Sequence, residues 1–279
     1  MFRLLSVCSL IVACSVWAEE ILVIEQDYKI IEHGKGGADA KDVRQILYIS
    51  PYFICIDEVG GGSGAAPTES IILDLKARQI INLNHADKVK VTESFEDRRK
   101  RIDKRKQTVE SDRDAMPEGK QKENYVKMWK AFLDDKRRFA IAKDSGEPAK
   151  LGGVECQPVK IVDVENPDYA AMSAQLHPEL VLPYDNTEVL YLLQLIGKRL
   201  ADFLHANKEA FKYVPMELHL DLAAGGHLDT KVISVKKVKR ENLDFKARGT
   251  LGNPFEVPTD YKDGNKKRPP VRKEDDKPN

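Results

Sequence analysis

Short runs of β-branched and aromatic residues, separated by turn signals, dominate the first ninety-four positions and predict strands. ILVIEQDYKII at 21–31 is the first, ended by His33-Gly34-Lys35-Gly36-Gly37. DVRQILYISPYFICID continues as strand, with Pro51 marking a bend or an edge. After GGGSG at 60–64 come three runs, Glu69–Asp74, Gln79–Asn84 and Lys88–Thr92, separated by Leu75-Lys76-Ala77-Arg78 and His85-Ala86-Asp87. That spacing predicts an antiparallel meander.

The period then changes. Ser94 is placed to cap a helix whose apolar residues, Phe95, Ile102, Val109 and Met116, recur once per heptad. Such a narrow stripe buries little, so the helix should lie mostly in water. Pro117 and Gly119 interrupt it. ENYVKMWKAFLDDKRR follows as a second helix, with Tyr125, Met128, Trp129 and Phe132 on one face. Strand character returns in RRFAIAKD and VECQPVKIVDV, and 165–183 reads as irregular. Asp185 and Glu188 suggest a capping box opening a single covering helix over 187–211. PMELHLDL alternates, with Met216, Leu218, Leu220 and Leu222 opposite Glu217, His219 and Asp221. The loop AAGGH joins it to TKVISVKKVK as a hairpin. From Lys262 the tail is almost free of apolar residues and is expected to be disordered. Together these elements predict an α+β domain over 19–261, with an open or half-closed antiparallel barrel sheet, a charged helical insert at 95–137 and a tail at 262–279.

Composition adds a compartment. MFRLLSVCSLIVACSVWAEE has a positive Arg3, an apolar run over 4–16 and small residues before a cleavage point after Ala18, the pattern of a secretory signal over 1–18. The run is shorter than the ~20 residues a bilayer span needs. No other segment is long and apolar enough to cross a membrane. A second reading makes Cys14 a lipid anchor, because Ile11-Val12-Ala13-Cys14 looks like a lipobox. The mature chain is expected to be periplasmic or extracellular. Two cysteines, Cys55 and Cys156, then remain; in an oxidising compartment they could form one bridge or persist as two buried thiols.

Lys+Arg and Asp+Glu are both 45, so no global field favours nucleic acid or an anionic surface. The basic run RRKRIDKRK is interleaved with acids and lacks stacking aromatics, which fits a solvated helix better than a nucleic-acid site.

Candidate chemistry is sparse. GGGSG lacks the Lys-Ser/Thr of a phosphate loop, and Ala65 stands where a nucleophile elbow around Ser63 needs glycine. None of the histidines, His33, His85, His177, His205, His219 and His227, has the spacing of a zinc-protease helix. His85 and Asp87 read as turn residues. His219 and Asp221 share a strand face with His227 nearby, a place where a cation could sit, although solvated side chains are the simpler reading. No catalytic motif, metal site or cofactor is therefore assigned.

Several segments in order, "ILYIS…ICID", "IILDLKARQIINLNHADKVKVTES", a charged insert, "LGGVECQPVKI" and "FEVPTDYK", resemble an uncharacterised exported bacterial family related to LolA-like lipoprotein carriers. The resemblance implies a half-open barrel whose apolar concave face is covered by helices and holds acyl chains. The functional expectation is a non-catalytic exported protein binding a lipid or other apolar ligand. The alternative is a structural or interaction component of the cell envelope that uses the charged helix 95–115 to hold a protein partner. A third reading is a hydrolase assembled from distant residues such as His219 and Asp221.

Overall fold

A computed structural model describes residues 19–31, 41–60, 66–129, 133, 137–222 and 226–265. The first six strands, β1 (Glu20–Ile31), β2 (Lys41–Ile49), β3 (Phe53–Val59), β4 (Pro67–Asp74), β5 (Gln79–Asn84) and β6 (Val89–Ser94), pair in chain order as an antiparallel meander. Its last two turns repeat one design. Asp74 and Asn84 each accept a backbone N–H three residues on, from Ala77 at 2.7 Å and Asp87 at 2.8 Å. Arg78 and Lys88 then close the turns at φ 55° and 50°.

Alternation along these strands sorts side chains onto two faces. On one, the register aligns Leu22, Ile49, Ile54, Leu73 and Ile80 in a row across five adjacent strands. Each is at most 4% exposed. At ~1.5–3 kcal/mol per buried aliphatic side chain the row contributes on the order of 10 kcal/mol, before the opposing chain entropy.

The second half joins the same sheet. β13 (His227–Lys239) pairs with β1, followed by β12 (Tyr213–Asp221), β11 (Ala170–Val181), β10 (Gln157–Asp163) and β7 (Phe139–Ile141). The short strands β8 (Lys150–Leu151) and β9 (Val154–Glu155) form a separate ribbon. β11 occupies much of 165–183, the stretch expected to be irregular. Its buried Met172, Ala174 and Leu176 alternate as a strand requires, but a register shift between Leu176 and Val181, around His177-Pro178, hides the pattern.

The expected α+β half-open barrel is not the architecture. With β14 (Lys262–Asp263) at one edge, the twelve-stranded sheet runs β14-β6-β5-β4-β3-β2-β1-β13-β12-β11-β10-β7, and its ends do not pair with each other. It is also mixed, because β14 runs parallel to β6. The fold is mostly sheet, with a small helical part. A barrel needs its first and last strands to meet; here both edges are short strands, of two and three residues, which leaves little unpaired backbone.

Four α-helices are present among the described residues. Helix α1 (Phe95–Ala115) is capped by Ser94, whose Oγ accepts from the Asp97 N–H at 3.0 Å. It buries Phe95, Ile102 and Val109, and packs the last two against Tyr125, Trp129, Leu133 and Tyr191. Helix α2 (Lys120–Met128) carries Tyr125. The single covering helix expected over 187–211 is broken into α3 (Asn186–Leu192) and α4 (Lys198–Ala206). The cause is a C-terminal motif that turns the chain: Leu195 N–H donates to Leu190 C=O at 3.0 Å and Gln194 N–H to Tyr191 C=O at 2.9 Å. Gln194 takes the left-handed position at φ 60° that glycine usually fills. Asp185 caps α3 through the Thr187 N–H, but Glu188 pairs with Arg78 and Arg99 instead of closing a capping box.

The opposite face of the meander is covered by the C-terminal segment. Leu243, Phe255, Val257 and Tyr261 pack on Ile21, Tyr48, Cys55, Ile72 and Leu83. The segment ends as β14, so the tail expected to be disordered from Lys262 begins instead with a strand. Gly264 follows, where a Cβ would lie 2.8 Å from a Val89 methyl. Residues 266–279 lie outside the described residues, as do positions 1–18, where a signal or lipid anchor was expected, including Cys14 and Ala18, and His33 and Ser63.

Candidate functional site

An apolar cavity of about 270 Å³ lies between the sheet and the segment carrying α3. Its wall includes Ile56 and Ile71 from the meander, Met172 and Leu218 from β11 and β12, and Val189 and Leu193 from the helical side. The outermost strands lining it, β5 through Ile80 and Asn82 and β11 through Met172 and Leu176, stand seven places apart in the sheet. Flat, that is about 34 Å at ~4.8 Å per strand, so the sheet bends around the cavity.

Strand register grades this wall from apolar to polar. The fully buried row through Ile54 is followed by Ile24, Leu47, Ile56, Ile71 and Asn82, and then by Gln26, Gln45 and Glu58. Gln26 Nε2 donates to Gln45 Oε1 at 3.1 Å. Tyr28 stands beside this polar row; burial first, then the Glu58 charge, pushes its phenol up to about 12. Burial alone raises the Tyr184 phenol well above its ordinary value. Arg98 closes another part of the wall: its Nε donates to the Leu192 carbonyl at 2.8 Å, and its Nη1 lies 3.6 Å from Glu93. A mostly apolar enclosure with a few placed polar groups suits a ligand with a hydrocarbon body and one hydrogen-bonding end.

The other face of β3 and β4 holds a second polar constellation. Asp57 is fully buried and accepts from Arg248, Nε to Oδ2 at 2.6 Å and Nη2 to Oδ1 at 3.0 Å. Arg248 is 1% exposed and also donates to the Gly252 carbonyl at 2.9 Å. Ser70 Oγ donates to Asp57 Oδ1 at 2.5 Å. With that hydrogen committed, the 2.7 Å contact of Ser70 Oγ with His85 Nε2 requires Nε2–H to donate. His85 Nδ1 is then the acceptor for Tyr261 O–H at 2.5 Å. The chain of donors runs Tyr261 to His85 to Ser70 to Asp57.

This direction excludes His85 as a base for Ser70, since it donates to the hydroxyl it would have to deprotonate. Ser70 is also 1% exposed. The constellation is a clasp that ties the C-terminal segment to the sheet, and His85 is more than a turn residue.

The clasp needs a neutral imidazole, and burial, the leading cause, lowers the His85 pKa. Burial lowers His177 as well, whose Nδ1 accepts from the Glu179 and Leu180 N–H groups. A histidine with a lowered folded pKa contributes stability that is complete above the unfolded value of ~6.5 and is lost as pH falls from there through the folded value. Unfolding free energy should therefore fall between pH 7 and pH 5. His85→Gln, whose amide can still donate to Ser70 and accept from Tyr261, should show a shallower fall in denaturant titrations at each pH. Equal slopes would remove His85 from the acid limb.

Cys55 and Cys156 are both buried and free. Cys55 packs under the C-terminal segment, whereas Cys156 belongs to the cluster on the cavity side. Burial first, then Asp57, raises the Cys55 thiol well above its ordinary value, and burial raises Cys156. His205 is exposed and pairs with Asp185 at 2.8 Å. Asp87 is an exposed turn residue whose N–H donates to Asn84. His219, Asp221, His227 and Asp229 come together on the β12–β13 hairpin. The residues of the clasp missed in sequence are Asp57, Ser70, Arg248 and Tyr261. The one available signal was the acid at the end of FICID, on the same face as Cys55.

No family model and no curated protein matches the chain. Among solved structures, an uncharacterized conserved protein from Thermus thermophilus aligns over 88% of this chain and 90% of its own, at 9% identity and a TM-score of 0.38. PNGF-II in two crystal forms aligns over 88% and 83% of this chain at 9% and 11% identity, with TM-scores of 0.33 and 0.30. The aligned part is 30% of PNGF-II in each form. Similarity at this level carries no inference about fold or function.

Proposed function

We propose that this is an exported protein that binds a single-chain amphiphile in the cavity between the sheet and α3. The observation that carries the reading is the cavity itself, about 270 Å³ and lined chiefly by Ile, Leu, Val and Met. An apolar hole of ~150 Å³ already takes up benzene in a small protein. The volume here suits one short alkyl chain; a two-chain lipid would not fit. The polar row Gln26, Gln45 and Glu58 receives the head group, and its carboxylate disfavours an anionic head.

Native mass spectrometry of the purified chain should therefore find a bound apolar molecule. Titration with decan-1-ol should give one saturable site, with decanoate binding more weakly. A chain that emerges ligand-free and takes up neither compound would sink this reading.

A further inference from the structure

We propose that His219, His227 and Asp229 form a binding site for a late first-row divalent metal ion, of which zinc is the representative. The site follows from strand register. His219 lies opposite Asp229 across the β12–β13 pair, and Asp221 lies opposite His227. Residues two apart on a strand share a face, so all four side chains project to one side of the hairpin.

Three of them converge: His219, His227 and Asp229 each present a ligand atom, all within 4.8 Å of one another. His219 Nδ1 is 2.6 Å from Asp229 Oδ1, and His227 Nε2 is 3.5 Å from Asp229 Oδ2. The two imidazole rings stand 5.0 Å apart between centroids.

Chemistry selects the class of ion. Imidazole nitrogen and carboxylate oxygen together suit zinc and its neighbours, whereas calcium and magnesium prefer oxygen alone. Metal–nitrogen bonds of ~2.0–2.1 Å in a tetrahedral shell put ligand atoms roughly 3.4 Å apart. The separation of His227 Nε2 from Asp229 Oδ2, 3.5 Å, is close to that value. The His219–Asp229 contact is shorter because a hydrogen bond occupies it, and an ion entering there replaces that proton.

One carboxylate gathers both rings, His219 at Oδ1 and His227 at Oδ2. Lys231, next on the same face of β13, is held by Glu217 at 2.8 Å. Asp221, 4.0 Å from His219 Nε2, adds a second negative charge. Partial exposure leaves the site open to solvent, beside a polar groove of about 900 Å³ that Asp229 and His219 help to line. Three protein ligands leave one position of a tetrahedral shell for water or for a group bound in that groove.

The test is calorimetric titration of the untagged, chelator-treated chain with Zn²⁺. One ion per chain is expected, with affinity reduced more than tenfold by each of His219→Gln, His227→Gln and Asp229→Asn. His205→Gln, at the exposed pair with Asp185, should bind as the wild type does. Zn²⁺ should also raise the melting temperature of the wild type and of H205Q but not of the three site variants. The proposal is overturned if no saturable binding occurs below millimolar Zn²⁺, or if the site variants bind as well as the wild type. Decan-1-ol binding is a separate readout, so failure here leaves the cavity reading standing.

Discussion

Arg248→Met is expected to destabilise the protein by about 3–5 kcal/mol, because it leaves Asp57 as a buried carboxylate without its counter-charge. Arg248 makes two hydrogen bonds to that carboxylate, and both side chains are 2% exposed or less. Salt cannot screen a pair so enclosed, and water cannot replace the lost guanidinium. The Asp57→Asn/Arg248→Met double variant should recover most of the loss. It removes both charges, and asparagine still offers an oxygen to Ser70 Oγ–H. Denaturant unfolding of the two single variants and the double forms a cycle whose coupling term measures the pair. Additive effects would mean that Arg248 acts only through packing against Tyr48, over whose ring it lies at 5.9 Å.

The clasp also shows where sequence reasoning stopped. The meander was legible because its turns are local: Asp74 and Asn84 each bond to an N–H three residues away. Ser94 as a helix cap and the β12–β13 hairpin were legible for the same reason. Asp57 and Arg248 are separated by 191 positions, and no periodicity marks either of them. His85 looked like a turn residue because its turn is local, while its partners Ser70 and Tyr261 are 15 and 176 positions away.

The helix over 187–211 failed differently. Its apolar pattern continues through Gln194, and only the left-handed backbone at that residue breaks it. β11 was obscured by a register shift, and the half-open barrel, implied by the family resemblance, gave way to one twelve-stranded mixed sheet. The histidines of the β12–β13 hairpin were visible as a group. What the sequence could not show was Asp229 placed opposite His219 by the register.

Ile56→Trp is expected to weaken decan-1-ol binding on the order of a hundredfold while leaving the sheet folded. Ile56 lies in the middle row of the cavity wall, between Leu47 on β2 and Ile71 on β4, and is only partly buried. The indole can therefore grow into the cavity, and tryptophan is well accepted in strands. If it displaces about 100 Å² of ligand contact, ~25 cal/mol per Å² gives a loss near 2.5 kcal/mol, close to a factor of a hundred. Overpacking in a filled core would cost ~1–3 kcal/mol of stability; a side chain that enters an existing cavity should cost less, as denaturant unfolding will show. The companion variant Ile56→Ala separates ligand contact from core packing. It should lower stability by ~2–5 kcal/mol if the site cannot collapse, yet retain binding, because the cavity is enlarged rather than blocked. Unchanged binding in I56W would place the ligand elsewhere on the molecule, whereas loss of binding in both variants would mean that packing at Ile56, and not free volume, governs the site.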